Sequence, residues 1–163
     1  MPFLSEIGTP RYTGIDVSSE MIKLATYAHG DTPSATFADR SFDDECANRS
    51  EYETIVFNGV LQFFEDPAST LSCAAQLLSD SPDARLVVSH VSGASFVRRE
   101  LGDNPTTVKN VMPTMQTMQG IAEQSNLQLI IPSFLGTKVD EIERNFESFY
   151  LVILQRKVAD TRQ

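Results

Sequence analysis

No apolar run in this chain of 163 residues reaches the roughly 18 residues that a membrane-spanning helix needs. The opening stretch, MPFLSEIGTPRY, lacks both the basic and the hydrophobic region of a signal peptide. A soluble, intracellular, cytoplasmic protein with no membrane partner is therefore expected. Cysteine is scarce: Cys46, in a polar loop, and Cys73, on an expected helix face, show neither metal-ligand spacing nor a disulfide framework. No metal site is expected, and a reducing compartment is. Clustered positive charge is lacking as well. The formal charge is −9 and the lysines and arginines are scattered, whereas a nucleic-acid partner demands a basic patch that displaces counterions from the phosphate backbone. No nucleic-acid partner is expected on that ground. Internal repeats, low-complexity tracts and linkers are also missing, so residues 1–163 are expected to form a single domain with a real core.

What is present is organised around residues 12–25, YTGIDVSSEMIKLA. Tyr12, Ile15 and Val17 favour a strand, and Met21, Leu24, Ala25 and Ala28 recur at the spacing of one apolar helix face. Ser18 or Ser19 is the expected N-cap between the two. Asp16 then stands at the carboxyl end of a strand, the rim where open α/β sheets bind ligands, and a carboxylate there can accept two hydroxyl hydrogen bonds, as from a ribose. The alternative is that Asp16 only caps the helix or solvates the turn. Gly30 suits the left-handed position after the helix, with His29 at the negative end of its dipole. Residues 2–7 read as the tail of an earlier helix stopped by Gly8-Thr9-Pro10. Residues 35–38 form a short strand ending in Asp39 and Arg40, with the acidic stretch 42–45 behind it, so a second carboxylate follows a strand.

Residues 52–61, YETIVFNGVL, are the most β-prone stretch and are expected to be a central strand running into Asn58-Gly59, where a backbone can turn or approach a ligand closely. Asp66-Pro67 starts a helix with proline at its first position, and Leu71, Ala74, Ala75 and Leu78 give it an apolar face. Residues 85–91 read as a strand buried on both sides, which completes a βαβ unit. Phe96, Val97 and Leu101 indicate a short helix before a break at 102–105. Met112, Met115, Met118 and Ala122 return to helical spacing, a stripe that suits core filling. Residues 127–131 and 149–154 are expected to pair as an antiparallel hairpin, joined by a polar link, 136–147, that carries no helical apolar stripe of usable length.

In this order the elements resemble the class I S-adenosylmethionine-dependent methyltransferases of the small-molecule type, over nearly the whole chain. The family's second strand ends in D-x-S-x-x-M-[IL]-x-x-A, matched by Asp16, Ser18, Met21, Ile22 and Ala25. Its fourth strand and the lead into the next helix are matched by Asn58, Gly59, Val60, Leu61 and Asp66, and FYLVILQRK is similar to its terminal antiparallel strand. The resemblance implies a three-layer Rossmann-like α/β fold, a mostly parallel sheet with an antiparallel last strand, and S-adenosylmethionine as cofactor. It implies that Asp16, beside Val17, Ser18 and Met21, holds the cofactor ribose. Asp39, beside Arg40, would contact the adenine amino group, and Asn58, Gly59 and Val60 would border the cofactor. A small-molecule substrate would lie near Gln62, Phe63 and His90. His90 ends the strand RLVVSH and has the ring chemistry of a general base, the alternative being a hydrogen-bonded structural histidine. A catalytic residue need not exist, because methyl transfer depends mainly on aligning a nucleophile with the sulfonium methyl group. A nicotinamide-dependent reductase also hooks ribose with an acid after its second strand, but the terminal hairpin favours the methyltransferase.

The family's first strand and its G-x-G-x-G loop should precede Phe3, so the first βα unit is expected to be missing and the methyltransferase-like domain incomplete at its N-terminus. In the family that strand lies between the second and fourth, which predicts a break at the centre of the sheet and impaired activity. Two functions are in view: methylation of a small-molecule acceptor, or a non-catalytic methyltransferase-like protein that binds or scaffolds.

Overall fold

A computed structural model describes residues 11–30, 32–48 and 51–157, in two compact units, 1–49 and 50–163. The helix tail expected at 2–7 lies outside the described residues. In the first unit, strand β1 (Tyr12–Asp16) pairs in parallel with β2 (Ala35–Asp39), from Tyr12↔Ala35 to Asp16↔Asp39. Helix α1 (Ser19–His29) forms the crossover. Ser18 is its N-cap: the Ser18 Oγ accepts from the Met21 amide, and the Ser18 amide donates to Asp16 Oδ1 at 2.8 Å. The short run Asp-Val-Ser thus ends the strand and starts the helix by local hydrogen bonding.

Helix α1 covers a different stripe from the expected one. Met21 and Leu24 are 52% and 62% exposed, whereas Ile22, Ala25 and His29 are half-buried, with the His29 ring 6.5 Å from that of Phe37 on β2. Both stripes are apolar, so spacing alone does not choose between them; the short connection from Asp16 through Ser18 sets the rotation. Gly30 is also corrected. Its φ of −64° is right-handed and its amide donates to the Thr26 carbonyl at 2.7 Å, so the turn closes helically and no left-handed cap forms. A helix, α2 (Phe42–Asn48), takes up the acidic stretch after β2 and places Cys46 on a helix instead of a loop. Ser41 and Asp44 bond reciprocally at its start, each side chain accepting from the other's amide. Neither Cys46 nor Cys73 is a free thiol, contrary to the reading of both as reduced.

The second unit holds a four-stranded sheet in the order β3 (Thr54–Asn58), β4 (Arg85–His90), β6 (Tyr150–Arg156), β5 (Leu127–Ile130). Strands β3 and β4 are parallel, and β6 runs antiparallel to both of its neighbours, as the terminal hairpin required. Leu86 and Val88 of β4 and Val152 and Leu154 of β6 are fully buried, each contributing about 1.5–3 kcal/mol. Helices α3 (Pro67–Gln76) and α5 (Met115–Gln124) add Leu71, Ala74, Met118 and Ile121 to that core. Helix α4 (Gly93–Asp103) is longer than expected and continues through Gly102. The link read as polar and non-helical contains α6 (Val139–Phe146), anchored by only Ile142 and Phe146, a stripe of two that periodicity does not detect. Among the described residues no helix is long and apolar enough to cross a membrane.

At the start of β6, the Tyr150 hydroxyl donates to the Pro113 carbonyl at 2.9 Å in a fully buried setting. Burial, and then the nearby Glu143 carboxylate, push its phenol well above the ordinary value of 10.0. Below about pH 10 both folded and unfolded chains keep the proton; above it the unfolded chain ionises first, so stability is lost as pH rises. Tyr150→Phe should flatten this alkaline loss and cost about 1 kcal/mol near neutrality for the missing hydrogen bond. Urea midpoints at pH 8 and pH 11 check both effects, and an alkaline loss as steep in the variant as in the parent would refute the assignment.

Candidate functional site

In the first unit, the carboxyl ends of two adjacent parallel strands set Asp16 and Asp39 opposite each other in register, on backbones about 4.8 Å apart. Asp16 is half-buried and oriented, with Oδ1 held by the Ser18 amide; Oδ2 has no protein partner among the described residues. Asp39 is exposed. Val17, 76% exposed, and Met21 stand at the same turn. Arg40 follows Asp39, and its amide donates to the Asp16 carbonyl at 3.1 Å. Its guanidinium pairs at 2.7 Å with Glu45, so that charge is engaged within the unit.

In the second unit, β3 ends in Asn58, whose Oδ1 accepts from the Ser89 hydroxyl at 3.0 Å. Gly59 turns the chain at φ +66°, its amide donating to the Ser89 carbonyl. That left-handed backbone favours glycine, and a Cβ there would come within 3.9 Å of the His90 ring. Gln62, in the 3-10 turn Leu61–Phe63, is buried and donates through Nε2 to the Gly59 carbonyl at 2.9 Å. Its own carbonyl accepts from the amides of Lys109 and Asn110, while its Oε1 is buried with no partner among the described residues. Val60 and Phe63 are partly exposed beside it.

His90 closes β4 and is 6% exposed. Its Nδ1 accepts from the Ser92 amide at 3.3 Å, and the ring lies 5.6 Å from that of Phe96. Burial lowers its pKa from 6.5, so the ring is neutral at pH 7. With Nδ1 occupied as an acceptor, the neutral ring carries its proton on Nε2. A base at Nε2 requires the other tautomer, whose Nδ1–H would face the Ser92 N–H. Sequence reasoning missed Ser89 and Ser92, which belong to no motif; only the Asn58↔Ser89 register and the turn after β4 reveal what they hold.

A family model described as a methyltransferase domain matches residues 1–85. No curated protein is significantly similar to the chain in sequence. Among solved structures, an S-adenosylmethionine-dependent methyltransferase from Mesorhizobium loti superposes with a TM-score of 0.71 at 18% identity, over 95% of this chain and 84% of that one. A chain of the complex between the Haloferax volcanii Trm112 methyltransferase activator and its partner gives 0.69 at 17% identity, over 99% and 78%. The magnesium protoporphyrin IX methyltransferase of Synechocystis PCC 6803, solved with bound S-adenosylhomocysteine, gives 0.61 at 15% identity, over 94% and 67%. At these identities the likeness is one of fold.

Proposed function

The chain belongs to the methyltransferase-domain family and has its Rossmann-like α/β fold, and from that premise we propose that it transfers a methyl group from S-adenosylmethionine to a small-molecule acceptor. The observation that carries the reading is the in-register pair Asp16↔Asp39 at the carboxyl ends of adjacent parallel strands. A carboxylate oriented by the Ser18 amide, with a second oxygen unpartnered in the protein, suits a ribose hydroxyl donor. An exposed carboxylate beside it suits the adenine amino group. Val17, Ser18 and Met21 would border the nucleoside; Asn58, Gly59 and Val60, taken by themselves in the second unit, are the further candidates for cofactor contact. Arg40 would act through its backbone, since Glu45 holds its guanidinium. Gln62, Phe63 and His90 would serve the methyl acceptor.

When bound, the cofactor supplies a methyl group already activated on a sulfonium sulfur, so positioning can account for most of the rate and no base is required. The relative solved with bound S-adenosylhomocysteine supports the same cofactor class here. Calorimetric titration tests the reading against its nearest rival, a nicotinamide nucleotide hooked by the same acid. S-adenosylhomocysteine should bind, with NAD roughly tenfold weaker or worse, the equivalent of at least one lost hydrogen bond. Equal or tighter binding of NAD would contradict it.

A further inference from the structure

Resting on that reading, we infer that His90 presents Nε2–H as a permanent hydrogen-bond donor and, with the apolar side chains around it, selects methyl acceptors that are uncharged and carry an accepting oxygen. The donor is fixed by geometry: the Ser92 amide holds Nδ1 as an acceptor, and an amide N–H cannot reverse its polarity. Nε2 has no protein partner among the described residues, although the residue as a whole is 6% exposed. Phe96 lies against the ring, while Gly59, with φ +66° and no side chain, leaves the ring's Cδ2 side clear. Gln62 donates its Nε2 to the Gly59 carbonyl at 2.9 Å and so holds the turn beside the ring.

The surroundings disfavour charge. Val60 and Phe63, which follow β3, and Val91, which follows β4, are partly or largely exposed at the strand ends that carry His90. Of the cationic side chains on neighbouring elements, Arg98 pairs with Glu147 and Lys109 with Glu65 at 3.2 Å, while the Arg99 guanidinium lies over the Phe96 ring at 5.1 Å. Among the described residues no ion pair or hydrogen bond brings a cation onto the His90 ring itself, so a carboxylate at Nε2 would desolvate without a counter-ion in contact. An ammonium would offer donors to a donor.

Long-range proton–nitrogen NMR on the whole chain tests this, because the sequence holds two histidines and His29, in the first unit, is the internal reference. At pH 7, His90 should show the Nε2–H tautomer. Titration with acetophenone, a neutral carbonyl acceptor, should shift the His90 Nε2–H resonance saturably and leave His29 unmoved, whereas benzylamine and benzoate at equal concentration should not. His90→Gln, which keeps a side-chain donor and cannot act as a ring base, should retain the acetophenone-induced shifts at the Val60 and Val91 methyls. His90→Leu should weaken them about tenfold, the loss of one hydrogen bond. An Nδ1–H tautomer, a silent His90, or an equal response to benzylamine or benzoate would overturn the inference. Binding of S-adenosylhomocysteine with a silent His90 removes this inference alone; a responding His90 without that binding removes the proposed cofactor instead.

Discussion

Replacing Asp16 with alanine should weaken S-adenosylhomocysteine binding about tenfold or more. The carboxylate is aimed by the Ser18 amide at 2.8 Å, so its unpartnered oxygen meets a ribose without paying for orientation at the moment of binding. A charge-assisted hydrogen bond is worth roughly 1.5–3 kcal/mol, and 1.4 kcal/mol is a factor of ten. Asp16→Asn separates two contributions, because an amide oxygen can still accept from Ser18 and keep the start of α1 in place while the charge is gone. Its affinity should fall between those of the parent and the alanine variant. Titration calorimetry reads both, and a parental affinity in Asp16→Ala would place the nucleoside elsewhere.

The largest stability effect should come from Gly93→Ala. Gly93 begins α4 at φ +68°, and a Cβ there would stand 2.5 Å from the Glu147 carbonyl oxygen and 2.6 Å from backbone carbons of Glu147 and Ser148. These are backbone atoms of the segment entering β6, so they cannot swing aside as a side chain would. Left-handed backbone costs alanine about 1–2 kcal/mol, and the displaced segment brings the total to roughly 3–5 kcal/mol, in the range reserved for named structural conflicts. Gly102, in the same helix, has nothing within 4 Å of its Cβ position. Gly102→Ala should be neutral or stabilising by up to about 1 kcal/mol. Urea midpoints of the two variants decide the matter, and equal midpoints would refute the packing described for the start of α4.

How far these features could be read in advance depended on how local their causes are. The turn Asp16-Val17-Ser18 was legible because strand end, cap and helix start all follow from hydrogen bonds within five residues. Strands β4 and β6 were legible because buried strands are written as apolar runs, Leu86 to Val88 and Val152 to Leu154. The rotation of α1 was not, since Met21 and Leu24 are as apolar as Ile22 and Ala25 and the hydrogen-bonded connection from Asp16 through Ser18, not the apolar spacing, makes the choice. Helix α6 was not legible either, because its two anchors lie among charged residues. Residue identity singled out His90 but not the bond that fixes its ring: a single amide, from Ser92, holds Nδ1 as an acceptor.

Hydrogen–deuterium exchange of the chain with and without saturating S-adenosylhomocysteine tests most directly whether the strand ends hold the cofactor. Exchange should slow at residues 16–21 and 39–41, while residues 124–126, beside a cavity of about 290 Å³ lined in part by Gln124, Asn126 and Arg156, stay unchanged. Slowing confined to 124–126, or no change at 16–21, would contradict the assignment.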